Sequence, residues 1–331
     1  MKQVLSQLFE YKALSKEQAK QVLINIAELK YNNSQIAAFL SVYLMRSITV
    51  DELEGFREAL LELCVKIDLS SYETIDLCGT GGDGKDTFNI STLSSFVVAG
   101  AGIKVAKHGN YGVSSSCGSS NVMEYLGYNF TDDLSLIEKQ IDQAGICFLH
   151  APLFHPAMKI VAPIRKELGV KTFFNMLGPL VNPSFPKFQL TGVFSLELAR
   201  LYNYLLQNSG IEFVILYSLG GYDEISLTCP FKMISKTKEQ LFTPEEIGFK
   251  SLKETDLFGG KTISDSAAIF LNVLNNSGTI AQKNVVIANS AMAIYCAKPE
   301  FSIEECILLA KESLESKRAL QAFKKLLIIT K

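Results

Sequence analysis

A glycine-rich loop with the composition of a phosphate-binding loop lies at residues 78–87, CGTGGDGKDT. Glycine allows a backbone to take positive φ and to approach phosphate oxygens with no Cβ between them. The preceding segment, ETIDLC, predicts a buried strand, and the following one, NISTLSSFVVAGAG, predicts a helix. Because the free N–H groups and the dipole of a helix start favour anions, we interpret the loop as a phosphate cradle. A tight turn that needs glycine for structural reasons alone is the alternative.

Two familiar phosphate motifs match this loop only in part. Its G-x-G-x-x-G spacing agrees with the dinucleotide fingerprint, which expects an acidic residue about 20 positions later to bind ribose. No Asp or Glu occurs from Thr87 through Met123. The loop also resembles a P-loop, but Asp86 stands where that motif has the Ser or Thr that binds Mg²⁺, and its charge would repel phosphate. We therefore expect a phosphate site of another kind.

The acid-free stretch after the loop offers polar donors without competing carboxylates, which suits a heavily phosphorylated ligand. Its sequence Lys107-His108-Gly109-Asn110 directly follows a second predicted strand, so we expect Lys107 to bind the ligand rather than to be a solvated charge. For His108, a general base and a packed histidine both remain open. The hydroxyl residues of the stretch are Ser91, Thr92, Ser94, Ser95, Ser114, Ser115, Ser116, Ser119 and Ser120.

An acidic pair, Asp223-Glu224, follows the predicted strand EFVILYS. Open α/β sheets bind ligands at the carboxyl ends of their strands. Carboxylates in that position can hold Mg²⁺, which takes its other ligands from water and from substrate phosphate. The pair therefore predicts a magnesium site that works together with the phosphate loop. Two exposed surface acids are the alternative.

A single arginine, Arg165, lies in HPAMKIVAPIRKELG, a segment that predicts a helix. Pro163 stands just before it and would kink or start a helix there, which can aim the guanidinium inward. An arginine on an exposed helix face is the alternative.

The elements that must position these residues fall into two groups. Residues 1–68 have apolar residues at three- and four-residue spacing and predict helices only, with N-caps at Ser15, Asn33 and Thr49. Beyond them, apolar strand segments alternate with helical patterns, and the strand candidates are ETIDLC, IKVAKHG, GICFLHAP, FQLTGVF and EFVILYS. Such alternation predicts an α/β fold with a mostly parallel sheet.

Composition restricts the class of protein further. The chain has 331 residues, 48% of them hydrophobic, which is enough for a large packed core, and its formal net charge is −2. Its basic residues form no stripe of the kind that nucleic-acid binders need, so we expect no nucleic-acid partner. The start lacks a signal-peptide core, and the apolar stretches are too short to span a membrane. Seven scattered cysteines without a C-x-x-C pair predict reduced thiols and a cytoplasmic location.

Taken in order, four motifs resemble those of the anthranilate phosphoribosyltransferase family. They are DLCGTGGDG with TFNIST, KHGN with VSSSCGS and MEYLG, HPAMKIVAPIRKELGVKTFFNMLGPLVNP, and GYDEIS. The resemblance covers residues from about 10 to 300, and four matches in the family's order are far more specific than any one of them.

The resemblance implies a fold of the nucleoside phosphorylase/phosphoribosyltransferase type. A small helical domain would span residues 1–68, with the helical hinge segment 163–182 packing on it, and a large α/β domain would span residues 69–331. It also implies a homodimer formed through the helical domain. The implied reaction transfers a 5-phosphoribosyl group from phosphoribosyl pyrophosphate (PRPP) to the amine of anthranilate.

The resemblance also implies site residues, position by position. Two Mg²⁺ ions would be held by Ser91, Asp223 and Glu224, and anthranilate would contact Gly79, Asn110 and Arg165. PRPP would contact Gly79, Gly82, Asp83, Thr87, Asn89, Ile90, Ser91, Thr92, Lys107, His108, Gly109, Asn110 and Ser119. No side-chain acid or base is required, because an aromatic amine is uncharged at neutral pH. Lys107 would act electrostatically on the departing pyrophosphate.

Two positions depart from the family pattern. Tyr111 stands where the family has Arg, and Asn121 stands where it has Asp, so we expect that an ion pair between them has been lost. The alternative functions are a class II pyrimidine nucleoside phosphorylase and a non-enzymatic relative that binds nucleic acid. The former is typically longer and leaves the acidic pair without a role, and the latter is disfavoured by the isoelectric point of about 6.0.

Overall fold

A computed structural model describes residues 1–112 and 117–330 of the chain, which fall into two units. The first unit combines Met1–Ile67 with Ala151–Pro183, and the second combines Asp68–His150 with Ser184–Lys331. No helix in the described ranges is both long and apolar enough to cross a membrane. The seven cysteines, all of which are described, are free thiols.

The first unit is helical. Its helices are α1 (Lys2–Phe9), α2 (Lys16–Ala27), α3 (Asn33–Met45), α4 (Val50–Leu63), α8 (Ala151–Phe154), α9 (Pro156–Leu168) and α10 (Phe174–Leu177), with a 3-10 turn at Gly178–Leu180. Of the two effects expected of Pro163, a kink or the start of a helix, the start is wrong, because α9 begins at Pro156 and continues through Pro163. It ends at Leu168 and is capped by Gly169, whose φ of +65° lies in the left-handed region.

Capping boxes begin α2, α3 and α4. Ser15 and Thr49 cap α2 and α4 as predicted, each accepting a hydrogen bond from the backbone N–H three residues later. The predicted cap at Asn33 is wrong by one residue. Asn32 caps α3, because Gln35 stands three positions after Asn32 and its side chain returns a bond to the Asn32 N–H.

A buried carboxylate joins three parts of the helical unit. Glu52 of α4 accepts hydrogen bonds from Leu14 N–H at 3.0 Å and Tyr43 O–H at 3.1 Å, and it forms a bidentate ion pair with Arg46. Burial alone would raise the pKa of Glu52, but the bonds from Arg46 and from the N–H groups of Leu14 and Thr49 bring the pKa below its ordinary value. The carboxylate is therefore ionised and fully partnered inside the unit.

The second unit is built on seven strands in its described part: β1 (Ile75–Gly79), β2 (Val105–Gly109), β3 (Ile146–His150), β4 (Phe188–Gly192), β5 (Glu212–Ser218), β6 (Phe231–Ser235) and β7 (Glu239–Phe242). They form one sheet in the order β3-β2-β1-β4-β5-β6-β7. β1 to β5 are parallel, while β6 and β7 pair antiparallel at one edge. The five predicted strands and the predicted mostly parallel α/β fold are confirmed, and β6 and β7 were missed.

Helices cover the sheet of the second unit: α5 (Ile90–Gly100), α6 (Ser119–Tyr125), α7 (Leu134–Ala144), α11 (Leu196–Gln207), α12 (Ile263–Leu274), α13 (Ile280–Ala297), α14 (Ile303–Glu315) and α15 (Arg318–Ile329). α5 packs on β1 and against α13, α14 and α15. Its small residues permit this close approach: a Cβ on Gly100 would lie 2.3 Å from Ser313 Oγ, and Ser94 and Ser95 are completely buried.

Candidate active site

Two neighbouring strands of the sheet end in glycine, and the acidic turn crosses directly over them. Gly79 of β1 is the register partner of Gly192 of β4. A Cβ on Gly79 would lie 2.3 Å from Asp223 Oδ2, and a Cβ on Gly192 would lie 1.5 Å from the Asp223 carbonyl oxygen. Both positions therefore require glycine. Gly192 was not predicted as a site residue, although a glycine that ends the strand FQLTG was a visible signal.

The acidic pair contacts the glycine-rich loop. Asp223 Oδ2 accepts a hydrogen bond from Gly81 N–H at 2.6 Å, and Glu224 Oε1 accepts one from the Thr87 hydroxyl, also at 2.6 Å. The structure thus brings together two motifs that the sequence separates widely. Both lie at the C-terminal ends of parallel strands, where α/β sheets bind their ligands.

Asp83 and the acidic pair bring three carboxylates near one another in this region. Burial and the nearby charge of Asp83 raise the pKa of Asp223 to about 7. Burial and the charge of Asp223 also raise the pKa of Glu224 well above its ordinary value, while Thr87 and Lys107 act in the opposite direction. Buried like charges are costly unless a cation neutralises them. The electrostatics therefore favour a bound cation.

The donor set suits a hard cation that is only partly coordinated by protein. Within residues 1–112 and 117–330, no group of three or more His, Cys, Asp or Glu side chains is arranged as a ready metal cage. Mg²⁺ needs no such cage, since it commonly binds through one or two carboxylates and completes its shell with water and substrate phosphate. Asp223 and Glu224 supply carboxylate oxygens of this kind.

The glycine-rich loop has the backbone that its composition predicts. Gly81, Gly82 and Gly84 have φ of +64°, +79° and +76°, which is the left-handed region. Asp86 shares this conformation with φ of +46°, and its carbonyl accepts a hydrogen bond from Gly259 N–H at 2.9 Å. The Asp83 side chain accepts from Lys85 N–H at 3.1 Å, which closes a small turn. The loop is thus shaped by its own turns.

The loop leads into the start of α5, where the predicted residues Asn89, Ile90, Ser91 and Thr92 follow one another. Asn89 is the N-cap residue, but its side chain donates to the Cys117 carbonyl at 3.0 Å instead of capping the helix. The first intrahelical bond is Leu93 N–H to the Asn89 carbonyl. The N–H groups of Ser91 and Thr92 precede this bond, so they have no intrahelical acceptor and form part of the positive end of the helix dipole.

Lys107 and His108 lie inside the sheet at β2. Lys107 is only 1% exposed, and its Nζ donates a 2.5 Å hydrogen bond to the Leu77 carbonyl of β1. A lysine ammonium has three donors, so this bond leaves others for a ligand. The His108 side chain is buried too, and its backbone N–H donates to Asp76 Oδ1 at 3.0 Å. The structure therefore places the Lys107 side chain inside the sheet rather than in solvent.

Asn110 and Ser119 are joined at the two ends of the next loop. Ser119 Oγ donates to the Asn110 carbonyl at 3.2 Å, and Gly109 lies so close to Ser119 Oγ that an added Cβ would be 2.7 Å away. Residues 113–116, which include the predicted Ser114, Ser115 and Ser116, lie outside the described residues.

The two departures from the family pattern each have separate partners. Asn121 Oδ1 accepts hydrogen bonds from Gly112 N–H at 2.9 Å and Gly118 N–H at 3.0 Å. The Tyr111 hydroxyl donates a 3.4 Å hydrogen bond to Glu124 Oε1. Asn121 thus holds both ends of this loop by neutral hydrogen bonds.

Arg165 lies in the helical unit, on α9. Its Nη2 donates to Asn175 Oδ1 at 2.9 Å, and its guanidinium lies over the Phe174 ring, 5.4 Å from the centroid. Burial lowers the pKa of Arg165, and its Nε has no hydrogen-bond partner among the described residues. Arg165 is therefore oriented by its own unit and is not a fully solvated surface residue.

Comparison with known proteins identifies relatives along the whole chain. The helical bundle domain of a glycosyl transferase family matches residues 2–64, and the α/β domain of that family matches residues 71–320. An anthranilate phosphoribosyltransferase from Flavobacterium johnsoniae is 65% identical over 326 residues, which cover 98% of each chain.

Solved structures give the same result. The anthranilate phosphoribosyltransferase from Saccharomyces cerevisiae in complex with PRPP and Mg has a TM-score of 0.91 at 26% identity, covering 98% of this chain and 96% of its own. The same yeast enzyme in complex with 4-fluoroanthranilate has a TM-score of 0.88 at 25% identity, with the same coverage.

Proposed function

The chain belongs to the anthranilate phosphoribosyltransferase family, and from this premise we propose the reaction and the residues that carry it. The protein is a pentosyltransferase that moves a 5-phosphoribosyl group from PRPP to the amine of anthranilate. The products are N-(5-phosphoribosyl)anthranilate and pyrophosphate, in the second step of tryptophan synthesis from chorismate. The observation that carries this function is the acidic pair Asp223-Glu224 held against a glycine-rich loop.

The donor side of the reaction requires charge neutralisation. As pyrophosphate leaves the anomeric carbon, negative charge grows on its oxygens and the ribose gains oxocarbenium character. Preorganised donors aimed at the developing charge are the most effective form of catalysis here. We propose that the loop backbone, the N–H groups of Ser91 and Thr92 at the start of α5 and the buried side chain of Lys107 bind PRPP, together with the other residues assigned to it above.

We propose Mg²⁺ as the cofactor, with Ser91, Asp223 and Glu224 as its protein ligands. The mutual repulsion of the buried acids supports this assignment, since a cation removes it. Bound Mg²⁺ supplies positive charge for the pyrophosphate oxygens. The protein's own part is to keep both carboxylates close to the phosphate loop through Gly81 and Thr87. We propose two ions per site, because Asp223, Glu224 and a pyrophosphate together provide oxygens for more than one Mg²⁺ coordination shell.

For the acceptor, we propose that Arg165 binds the carboxylate of anthranilate. A guanidinium presents a planar fork that a carboxylate can satisfy twice. The bond from Asn175 and the ring of Phe174 hold the Arg165 plane in place before anthranilate arrives, which lowers the entropy lost on binding. Gly79 and Asn110 are proposed as further contacts of the acceptor.

We also propose a homodimer formed through the helical unit. Large apolar side chains are exposed near the ends of α1 and α3, namely Phe9, Leu44 and Met45, and these two helices pack on each other. Exposed apolar groups of this size are costly in water and are stabilised when a second copy covers them.

The proposed reaction is tested by following the fluorescence of anthranilate during incubation with PRPP and Mg²⁺. We expect anthranilate to be consumed only when PRPP, Mg²⁺ and the protein are all present. Full turnover in excess EDTA would contradict the role of the metal. Consumption of anthranilate with ribose 1-phosphate in place of PRPP would contradict the assigned donor.

A further inference from the structure

The turn that carries the acidic pair is held by a buried amide from a distant helix. Asn289 of α13 is 3% exposed, and its Oδ1 accepts a hydrogen bond from Ile225 N–H at 3.0 Å. Its Nδ2 donates to the Ile225 carbonyl at 2.8 Å and also to the Val285 carbonyl at 2.9 Å. The bond to Val285 lies within α13 and anchors the amide to its own helix. Asn289 thus pairs with Ile225 as a neighbouring strand would, and Ile225 directly follows Glu224.

Ser218, the last residue of β5, holds the same turn from another direction. Its Oγ donates to the Glu224 carbonyl at 2.5 Å and accepts from Ser226 N–H at 3.4 Å. The carbonyl of Glu224 and the N–H of Ile225 belong to one peptide group, which is therefore bound by both side chains. The next peptide group, formed by the Ile225 carbonyl and the Ser226 N–H, is bound by the same two. Two consecutive planar groups are thus fixed, which leaves φ and ψ of Ile225 little freedom.

This restraint acts on a turn whose two carboxylates repel each other. Asp223 and Glu224 are buried beside each other, and like charges in such a place repel and favour movement toward water. A flexible backbone would relieve that repulsion by separating the carboxylates. A backbone bound on four polar atoms cannot do so cheaply, since each broken bond would leave a buried polar group unpaired.

We propose that Asn289 is a positioning residue for the metal site: it holds the peptide groups on both sides of Ile225 so that Asp223 and Glu224 remain together for the cation. This inference rests on the proposed function, because it assumes that the acidic pair binds Mg²⁺. An amide is required at position 289, since aspartate offers no donor for the Ile225 and Val285 carbonyls and alanine pairs with neither group of Ile225.

The test compares three variants: Asn289→Ala, Ser218→Ala and a control, Ser290→Ala. Ser290 is the next residue of α13, is fully buried, and donates to the Val286 carbonyl at 2.7 Å, so the control also removes one buried hydrogen bond. Calorimetric titration with PRPP at a series of Mg²⁺ concentrations gives the concentration that supports half-maximal PRPP binding. We expect this concentration to rise about tenfold or more in Asn289→Ala, as is typical when an outer partner of a metal ligand is removed.

The Mg²⁺ concentration that supports half-maximal PRPP binding should also rise in Ser218→Ala, by a smaller factor. It should not change in Ser290→Ala. If Asn289→Ala does not fold, Ser218→Ala against the control decides the question. Equal Mg²⁺ requirements in the turn variants and in Ser290→Ala would overturn the positioning role. Absence of Mg²⁺-dependent PRPP binding in the unaltered protein would instead overturn the proposed function, so the two failures are distinguishable.

Discussion

The hydroxyl of Thr87 donates a 2.6 Å hydrogen bond to Glu224 Oε1, although the two residues are 137 positions apart in the chain. Thr87 ends the glycine-rich loop, and Glu224 belongs to the acidic turn after β5. The bond therefore joins the element proposed to bind phosphate to the element proposed to bind metal. It also lowers the pKa of Glu224, in opposition to the larger effects of burial and of Asp223, and so favours the ionised carboxylate that a cation requires.

Removal of this hydroxyl should weaken the metal site while the fold is kept. Thr87→Val has nearly the same shape but cannot donate to Glu224. We expect the Mg²⁺ concentration for half-maximal activity to rise about tenfold, the usual size of such an outer-partner effect. Thr87→Ser retains the hydroxyl and should stay near the unaltered value. The same Mg²⁺ requirement in the valine and serine variants would show that the bond does not support the metal site.

Neutralising Asp223 should stabilise the metal-free protein and inactivate it. The folded-state pKa of Asp223 is raised to about 7, so at pH 8 its charge destabilises the fold, and this penalty fades as the pH falls below 7. Asp223→Asn keeps an oxygen for Gly81 N–H but removes the charge. We expect the Tm in EDTA at pH 8 to rise by about 2 °C or more, with the gain shrinking toward pH 5.

The measurement is thermal unfolding of both proteins in EDTA at pH 8 and pH 5, followed by an activity assay with Mg²⁺. Lower Tm in Asp223→Asn at pH 8 would indicate that the carboxylate serves the fold. Retained activity would remove Asp223 from the proposed metal ligands.

The parallel core of the fold could be predicted because its signals are local. Five apolar segments alternate with helical patterns, and each strand is buried on both faces, so burial and periodicity agree. The antiparallel edge was missed for the opposite reason. β6 and β7 are short, joined by the charged sequence SKTKE, and several of their side chains are half-buried or exposed, so no long apolar run marks them.

The residues of the candidate site also divide into those that the sequence predicted and those that it did not. The loop glycines and the acidic pair carry chemistry in their own residue types, so the sequence pointed to them. Gly192 lies against Asp223, which is 223 − 192 = 31 positions away in the sequence. Asn289 binds Ile225, which is 289 − 225 = 64 positions away. A glycine that ends a strand and an amide inside an apolar helix have ordinary structural explanations. Only the approach of the acidic turn in space assigns them to the site.

The buried carboxylate of the helical unit should make that unit acid-sensitive. The folded-state pKa of Glu52 is lowered, so its stabilisation is complete above its unfolded pKa of about 4.3 and is lost as the pH falls through the lower, folded value. Glu52→Gln breaks the pair with Arg46 and should cost about 3 kcal/mol of unfolding free energy at pH 7, the usual size when one partner of a buried pair is removed.

Urea unfolding at pH 7 and at pH 3 measures this effect. The difference between the unaltered protein and Glu52→Gln should be large at pH 7 and should shrink at pH 3, which lies below the unfolded pKa, because the unfolded chain then binds a proton at this carboxyl group. Glu62→Gln is the control, since Glu62 is an exposed residue of the same helix. A difference that stays constant with pH would contradict the ionised state of Glu52.

The proposed dimer makes Met45 a sensitive position. Met45 is 84% exposed, and a charge placed there would be buried without a partner if a second copy covers it. We expect Met45→Glu to shift the mass in solution from dimer toward monomer, as measured by light scattering after size exclusion. Ile328→Glu is the control, because Ile328 is a 71% exposed apolar residue of α15 in the other unit. A similar shift in both variants would place the interface elsewhere.

Arg165 decides whether the acceptor is held by its carboxylate. Truncation to alanine should raise the KM for anthranilate about tenfold or more, because a lost charged pair is worth about 2 kcal/mol. Arg165→Lys should restore only part of the loss, since the charge is kept while the planar fork is not. The KM for PRPP should change far less, because the residues proposed to bind phosphate are carried by the other unit.

The structure adds a second arm to this test. Asn175→Ala removes the bond that orients the Arg165 guanidinium but leaves its charge, so we expect a smaller rise in the anthranilate KM, of about threefold to tenfold for one lost hydrogen bond of about 1 kcal/mol. Lys166→Ala is the control, because it removes the neighbouring, exposed charge of α9. Saturation curves for both substrates are measured in each variant. If Arg165→Ala and Lys166→Ala gave the same anthranilate KM, Arg165 would have no part in binding the acceptor, and Asn175 would serve only to hold α9 and α10 together.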